Sequence, residues 1–316
     1  MRSRKQMLPL MGAMIALLIL FSLIVPNFLK LENMLDLVQQ ISVNAILAFG
    51  MTLVILIGGI DLSVGALLAL VGTTTVYILT KSPVEGQNIW WLLLAILAGL
   101  SVAAGFGTFN GVCAAKTKMP PFIITLAVML IARGCALRYN QARPMHIPDY
   151  QKVFLFIGNG RLFGIVPLPV IIMLMLFVIT YLLLHRTRFG QHLYAMGGNR
   201  EAARFTGIAL VRIEILVYMI CSSLAGIAGL IHTSQLYSAE PASGVMFELN
   251  AIAAAVVGGT SFTGGRGSIY GTLIGAIIIG ILDKGLNQAG VHFSLQYIVK
   301  GLVILSAVYI DARRRD

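Results

Sequence analysis

Long apolar runs, about ten of them separated by short polar segments, constrain this chain more than any other feature. They cover approximately residues 7–28, 42–59, 62–80, 89–115, 122–137, 168–184, 213–232, 247–259, 269–282 and 295–310. Roughly 20 residues of helix cross the hydrocarbon core of a bilayer. A backbone in lipid must satisfy its own hydrogen bonds, which helices and closed barrels alone achieve. The pattern predicts an all-α polytopic integral membrane protein with about ten transmembrane helices. The run at 247–259 is too short to cross unaided and is expected to be a broken or half-length helix.

Composition excludes the soluble alternative. With 58% hydrophobic residues, 11% charged ones and a mean hydropathy of +0.89, the chain carries less than half the roughly 25% charge of a soluble domain. The net charge of +11, from 23 Lys and Arg against 12 Asp and Glu, would suggest nucleic acid as a partner in a soluble protein. Here the basic residues flank apolar runs, so no nucleic-acid partner is expected and membrane lipid is. If the N-terminus lies inside, the inner segments hold the clusters Arg2, Arg4 and Lys5; Lys116 and Lys118; Arg186 to Arg212; and Arg313 to Arg315. The positive-inside rule then places both termini in the cytoplasm. The basic start and first apolar run have the outline of a signal peptide, but the run is long and has no A-x-A-like cleavage site, so it is expected to stay as the first span.

No catalytic constellation stands out. There is no G-x-S-x-G or H-E-x-x-H, no paired carboxylates at helical spacing, and no G-x-x-x-x-G-K-[ST] phosphate loop, so any ATP would be hydrolysed by another subunit. Cys113, Cys135 and Cys221 have no disulfide or metal-ligand spacing and read as small apolar filler, and no metal site is expected. Asp61 sits between two apolar runs, where an ionised carboxylate costs roughly 2.5–3.5 kcal/mol. It either lies on a pathway or caps the helix that follows a tight turn at 58–63. With Ser63, it joins Asn44, Asn110 and Asn250 as candidate pathway residues. Neutral amides suit a cavity that recognises hydroxyl groups, and interhelical hydrogen bonding explains any one of them equally well.

Two glycine-rich segments, Gly58 to Gly65 and Gly258 to Gly265, each follow an Asn-Ala-Ile sequence, at Asn44 and Asn250. Paired glycine-interrupted segments often mark the pathway of a transporter, though two short matches also arise by chance. Pro120-Pro121 is expected to start the fifth span. The cytoplasmic segment at about 186–212 is the most informative. Asn199 is a good N-cap for a short helix carrying Glu201, Ala202, Ala203 and Arg204, and Gly207 is placed to stop it. With Gly198, these residues look like a docking element on the inner face.

At this point the chain resembles the ribose-type permeases of ABC sugar importers, relatives of the xylose, arabinose and galactose permeases. The resemblance runs over nearly the whole chain. It rests on Gln40 to Asn44, Gly50 to Ile55, Gly58 to Gly65, Asn110-Gly111, Phe122 to Leu126, Gly190 to Gly207, Leu249 to Ala253 and Gly258 to Ser261. It implies a single transmembrane permease domain over residues 1–316, in a bacterial inner membrane, that is not itself an enzyme and binds no cofactor. Glu201-Ala202-Ala203 followed by Gly207 is similar to the loop by which such permeases dock on their ATPase. The resemblance further implies a homodimer, ABC ATPase subunits that use ATP and Mg, a periplasmic sugar-binding protein and a monosaccharide substrate. Specificity in such systems lies largely with the binding protein, and the long outer loop at 139–166 does not choose among sugars. The alternatives are a self-sufficient ion-coupled carrier, which would want intramembrane relays beyond Asp61, Glu248, Asp283 and Lys300, and a structural membrane protein, which would leave the docking helix without a role.

Overall fold

The computed structural model describes residues 2–82, 86 and 88–313, and the side chains of these except 2–7, 307 and 310–313. The terminal basic clusters Arg2, Arg4, Lys5 and Arg313 to Arg315 lie outside the described side chains. In chain order come α1 (Arg2–Ile24), α2 (Leu31–Leu56), α3 (Val64–Thr80), α4 (Ile89–Lys116), α5 (Pro121–Arg138), α6 (Lys152–Asn159) and α7 (Leu168–Arg186). Next are α8 (Arg188–Gly198), α9 (Arg200–Phe205), α10 (Leu210–Gln235), α11 (Phe247–Val257), α12 (Ile269–Gln288) and α13 (Phe293–Arg313). The only sheet among the described residues is two pairs of two-residue strands: β1 (Met145–His146) with β4 (Ser238–Ala239), and β2 (Arg161–Leu162) with β3 (Val166–Pro167).

Six helices, α2, α4, α5, α7, α10 and α12, are long and apolar enough to cross a membrane, and α1, α3, α11 and α13 carry shorter apolar segments. At 11 residues, α11 rises about 16 Å, half of a bilayer core, as its short apolar run suggests. Pro121 occupies the first turn of α5, where its missing N–H costs nothing.

The helices divide into a core and a wall. In its most apolar stretch α2 is 78% buried, whereas α4 is 22% buried, so α4 turns most of its apolar surface outward, as lipid-facing helices do. Close backbone approach builds the core. A Cβ on Gly50 or Gly111 would strike the backbone of α10 at Cys221 or Ile215, and one on Gly229 would strike Leu68 of α3. Small residues at such crossings let van der Waals contact, which drives association in lipid, act over the whole interface.

Two helices outrun their apolar stretches. α2 begins at Leu31, not near Ser42, and α12 continues to Gln288 instead of stopping near Leu282. The added turns carry Glu32, Asp36, Gln39 and Gln40 on α2 and Asp283, Lys284, Asn287 and Gln288 on α12. Backbone hydrogen bonding continues through polar residues because their side chains find polar neighbours: Gln39 Nε2 donates to the Gly158 carbonyl at 2.9 Å.

Candidate functional site

One end of the bundle carries a platform. Thr187 caps α8, its hydroxyl accepting from the Gly190 N–H. Gly190, Leu193 and Met196, three residues apart, form the buried face of α8. The Tyr194 hydroxyl donates to the Gly267 carbonyl at 2.7 Å; burial pushes this phenol up to about 12, so it stays a donor. Gly197 presses against the Leu56 carbonyl at the end of α2 and against Gly265 in the α11–α12 loop. The Gly265 N–H donates to that same Leu56 carbonyl at 2.9 Å. A Cβ on Gly264 would meet the Gly58 backbone nitrogen at 3.1 Å, so the two glycine-rich segments meet under the platform. A cavity of about 290 Å³ opens there between Gly197-Gly198 and Thr263 to Arg266.

Beyond Gly198 the chain turns into α9. The Asn199 side chain accepts from the Ala202 N–H at 2.9 Å, the N-cap that its sequence suggests. At the other end Gly207 has φ +81, a left-handed conformation that favours glycine and ends the helix. Ala203 turns inward and is buried, while Gly198, Asn199, Glu201, Ala202, Arg204 and Gly207 are exposed. Two features here escaped the sequence reading. Phe205 is 89% exposed, an aromatic side chain of the kind that anchors protein interfaces. Arg200 Nη2 meets Glu214 Oε2 at 2.5 Å, and Glu214 is almost fully buried. This ion pair ties the platform to the first turns of α10.

The candidate pathway residues separate into two groups. Asp61, Ser63 and Asn110 come together, all fully buried. Asp61 Oδ1 accepts from both the N–H and the hydroxyl of Ser63, and Asn110 Nδ2 donates to Ser63 Oγ at 3.1 Å. Asp61 thus closes an Asx-turn ahead of α3, whose N-cap is Ser63. Thr125 of α5 pins the same loop, accepting from the Leu62 N–H and donating to the Ile60 carbonyl. Tyr218 and Cys221 of α10 pack about the Asp61 carboxylate. Asp61 Oδ2, Asn110 Oδ1, the Tyr218 hydroxyl and Ser222 Oγ keep unspent hydrogen-bonding capacity within the buried interior. Asn44 and Asn250 share no hydrogen bond with this cluster among the described residues; both are half-buried, on α2 and α11.

The turn predicts a separation of two variants. Asp61→Asn keeps the Oδ1 acceptor and is expected to hold its melting temperature, whereas Asp61→Ala is expected to lose roughly 1–2 kcal/mol with its two hydrogen bonds. Thermal unfolding in detergent, followed by tryptophan fluorescence, checks this. Equal losses in both variants would mean that the charge, and not the turn, is what the site requires.

The helical bundle thus combines a tethered, exposed platform at one end with a buried polar cluster. The chain belongs to the family described as branched-chain amino acid transport system / permease component, which matches residues 33–308. It is 45% identical to the ribose import permease protein of Escherichia coli K12, over 96% of this chain and 92% of that one. It is likewise 45% identical to the ribose import permease protein of Bacillus subtilis 168, over 97% and 92%. The D-allose transport system permease protein of Escherichia coli K12 is 39% identical over 90% and 84%. No solved structure gives a significant match.

Proposed function

We propose that this chain is the membrane-spanning subunit of an ATP-driven importer of ribose or a similar monosaccharide. The sugar arrives from a periplasmic binding protein, and separate ABC subunits, which hold ATP and Mg, dock on α8–α9 at the cytoplasmic face of the inner membrane. The observation that carries this reading is the platform itself: it exposes Glu201, Arg204 and Phe205 while Arg200, Tyr194 and Gly197 fasten it to three parts of the bundle. A solvated loop has no use for such fastening; a coupling element needs it. The sugar assignment follows the names of the relatives, which match almost end to end. On this reading the six long and four shorter apolar helices make ten crossings, the half-length α11 being completed by the segments that flank it, both termini lie in the cytoplasm, and two copies form the pathway.

An ion-coupled carrier would need free intramembrane charges as relays. Two of its four candidates are taken, because Lys300 Nζ meets Asp283 Oδ1 at 2.9 Å. Uptake of radiolabelled ribose into proteoliposomes tests the reading: transport is expected only with ATPase, binding protein and ATP present together. Ion-driven uptake by the chain alone would overturn it.

Glu201→Lys is expected to insert normally yet lose ATPase co-purification and uptake by at least about tenfold, since a reversed charge at a docking surface repels its partner. Because Glu201 is exposed, the fold should not suffer. Wild-type uptake in this variant would remove Glu201 from the interface.

A further inference from the structure

The end of the bundle opposite the platform contains a second cavity, of about 390 Å³, within the roughly 300–1,000 Å³ range of small-molecule sites. It is walled by the polar turns that extend α2 and α12 beyond their apolar stretches, and by α13. Gln40 comes from α2, Asp283, Lys284 and Asn287 from α12, and Gln296 and Lys300 from α13. Four-residue spacing lines up Asp36, Gln40 and Asn44 along one face of α2. The face thus runs from the cavity one turn deeper into the bundle, to Asn44, whose Oδ1 is buried without a partner.

Lys284 is the informative residue. It is 8% exposed, yet among the described residues its ammonium makes no hydrogen bond or ion pair. An ammonium group carries three donors, and here all three are left to the cavity that it lines. Its neighbours indicate what the acceptor would be. Asp283 is matched by Lys300, and Asp36, which also meets Arg161 at 3.5 Å, lies close enough to act on Lys284. The two ammonium groups of the lining, Lys284 and Lys300, face the one carboxylate of Asp283, with Asp36 shared between Lys284 and Arg161, so most of the positive charge is offset and a phosphate would gain little from what is left. The cavity offers instead amides that both donate and accept, an ammonium that donates and a carboxylate that accepts. That set matches the hydroxyls of a neutral polyol, each of which donates once and accepts twice.

We propose that this cavity is a monosaccharide subsite on the side of the permease that receives the sugar, with Lys284, Gln40 and Asn287 holding its hydroxyl groups. The proposal rests on the importer reading above and adds to it where the sugar first meets the permease.

The test uses the complete transporter in proteoliposomes carrying Gln288→Cys, at an exposed position on the cavity rim, with the wild type as background. Saturating D-ribose is expected to slow modification by a membrane-impermeant maleimide several-fold, with D-allose and L-arabinose as further probes. Lys284→Met should abolish that protection and lower uptake about tenfold, the effect of one lost charge-assisted hydrogen bond, while ATPase co-purification stays at the wild-type level. If Lys284→Met fails to insert, Asn287→Leu, at an exposed position, takes its place. Protection by glycerol phosphate and by none of the sugars would overturn the proposal in favour of a lipid headgroup. Absence of protection by any sugar, alongside normal wild-type uptake, would overturn the subsite and leave the importer reading intact. Absence of wild-type uptake of every sugar would overturn the importer reading itself.

Discussion

Arg200→Met is expected to uncouple the platform from the bundle, giving a transporter that reaches the membrane but no longer converts ATP hydrolysis into uptake. Glu214 is buried to within 4% of its side-chain surface and its carboxylate meets Arg200 at 2.5 Å. Removing one partner of a fully buried pair costs roughly 3–5 kcal/mol. Arg200 is about half exposed, so water screens part of the interaction and about 2–3 kcal/mol is the better expectation. The loss falls where α9 meets α10, and α10 packs on α2, α3 and α4. A push delivered to α9 would no longer reach the helix at the centre of the bundle. The check is binding-protein-stimulated ATPase activity and ribose uptake, measured alongside the melting temperature. The double variant Arg200→Met, Glu214→Gln should recover most of the stability, because no buried charge is then left alone, but not the coupling. A stable and fully coupled Arg200→Met would show that the pair does not transmit the stroke.

How much of this was legible in the sequence depends on the range of the interaction concerned. The ten apolar stretches, the proline start of α5 and the Asn199 cap are local: each rests on residues within a few positions of one another, and each stretch falls on a helix, though α2 and α12 run past theirs. α8 was legible only as part of a segment, because its buried face comprises Gly190, Leu193 and Met196, two of them amid polar neighbours. The Arg200–Glu214 pair spans 14 positions across a turn, and neither residue declares its partner. The meeting of the two glycine segments sets Gly264 against Gly58, beside the hydrogen bond from Gly265 to Leu56, and is purely tertiary. Grouping Asn44 and Asn250 with Asp61, Ser63 and Asn110 by composition ignored helix phase; only the last three converge. The missed ends of α2 and α12 have a related cause. Counting apolar residues discards polar turns, and the polar turns of these two helices wall the second cavity.

The neighbouring glycines at the end of α8 should respond oppositely to the same change. Both sit in a capped helix, where alanine is favoured over glycine by up to about 1 kcal/mol. A Cβ on Gly198 would meet nothing within 4 Å, so Gly198→Ala should fold at least as well as the wild type. A Cβ on Gly197 would overlap the Leu56 carbonyl and the Gly265 amide, and both atoms belong to backbone that cannot swing aside as a long side chain can. Gly197→Ala must lift α8 off the end of α2 or break the hydrogen bond between Gly265 and Leu56. Overpacking of this kind costs about 1–3 kcal/mol, and Gly197→Val should cost more. The expected result is a lowered melting temperature and loss of ATP-driven uptake in the Gly197 variants, with the melting temperature retained in Gly198→Ala. Equal tolerance at the two positions would mean that the platform rides loosely on the bundle. Coupling would then have to pass through Arg200 and Tyr194 alone. Loss of ATPase co-purification in Gly198→Ala, with stability intact, would instead place Gly198 within the docking surface, where the partner approaches too closely to admit a methyl group.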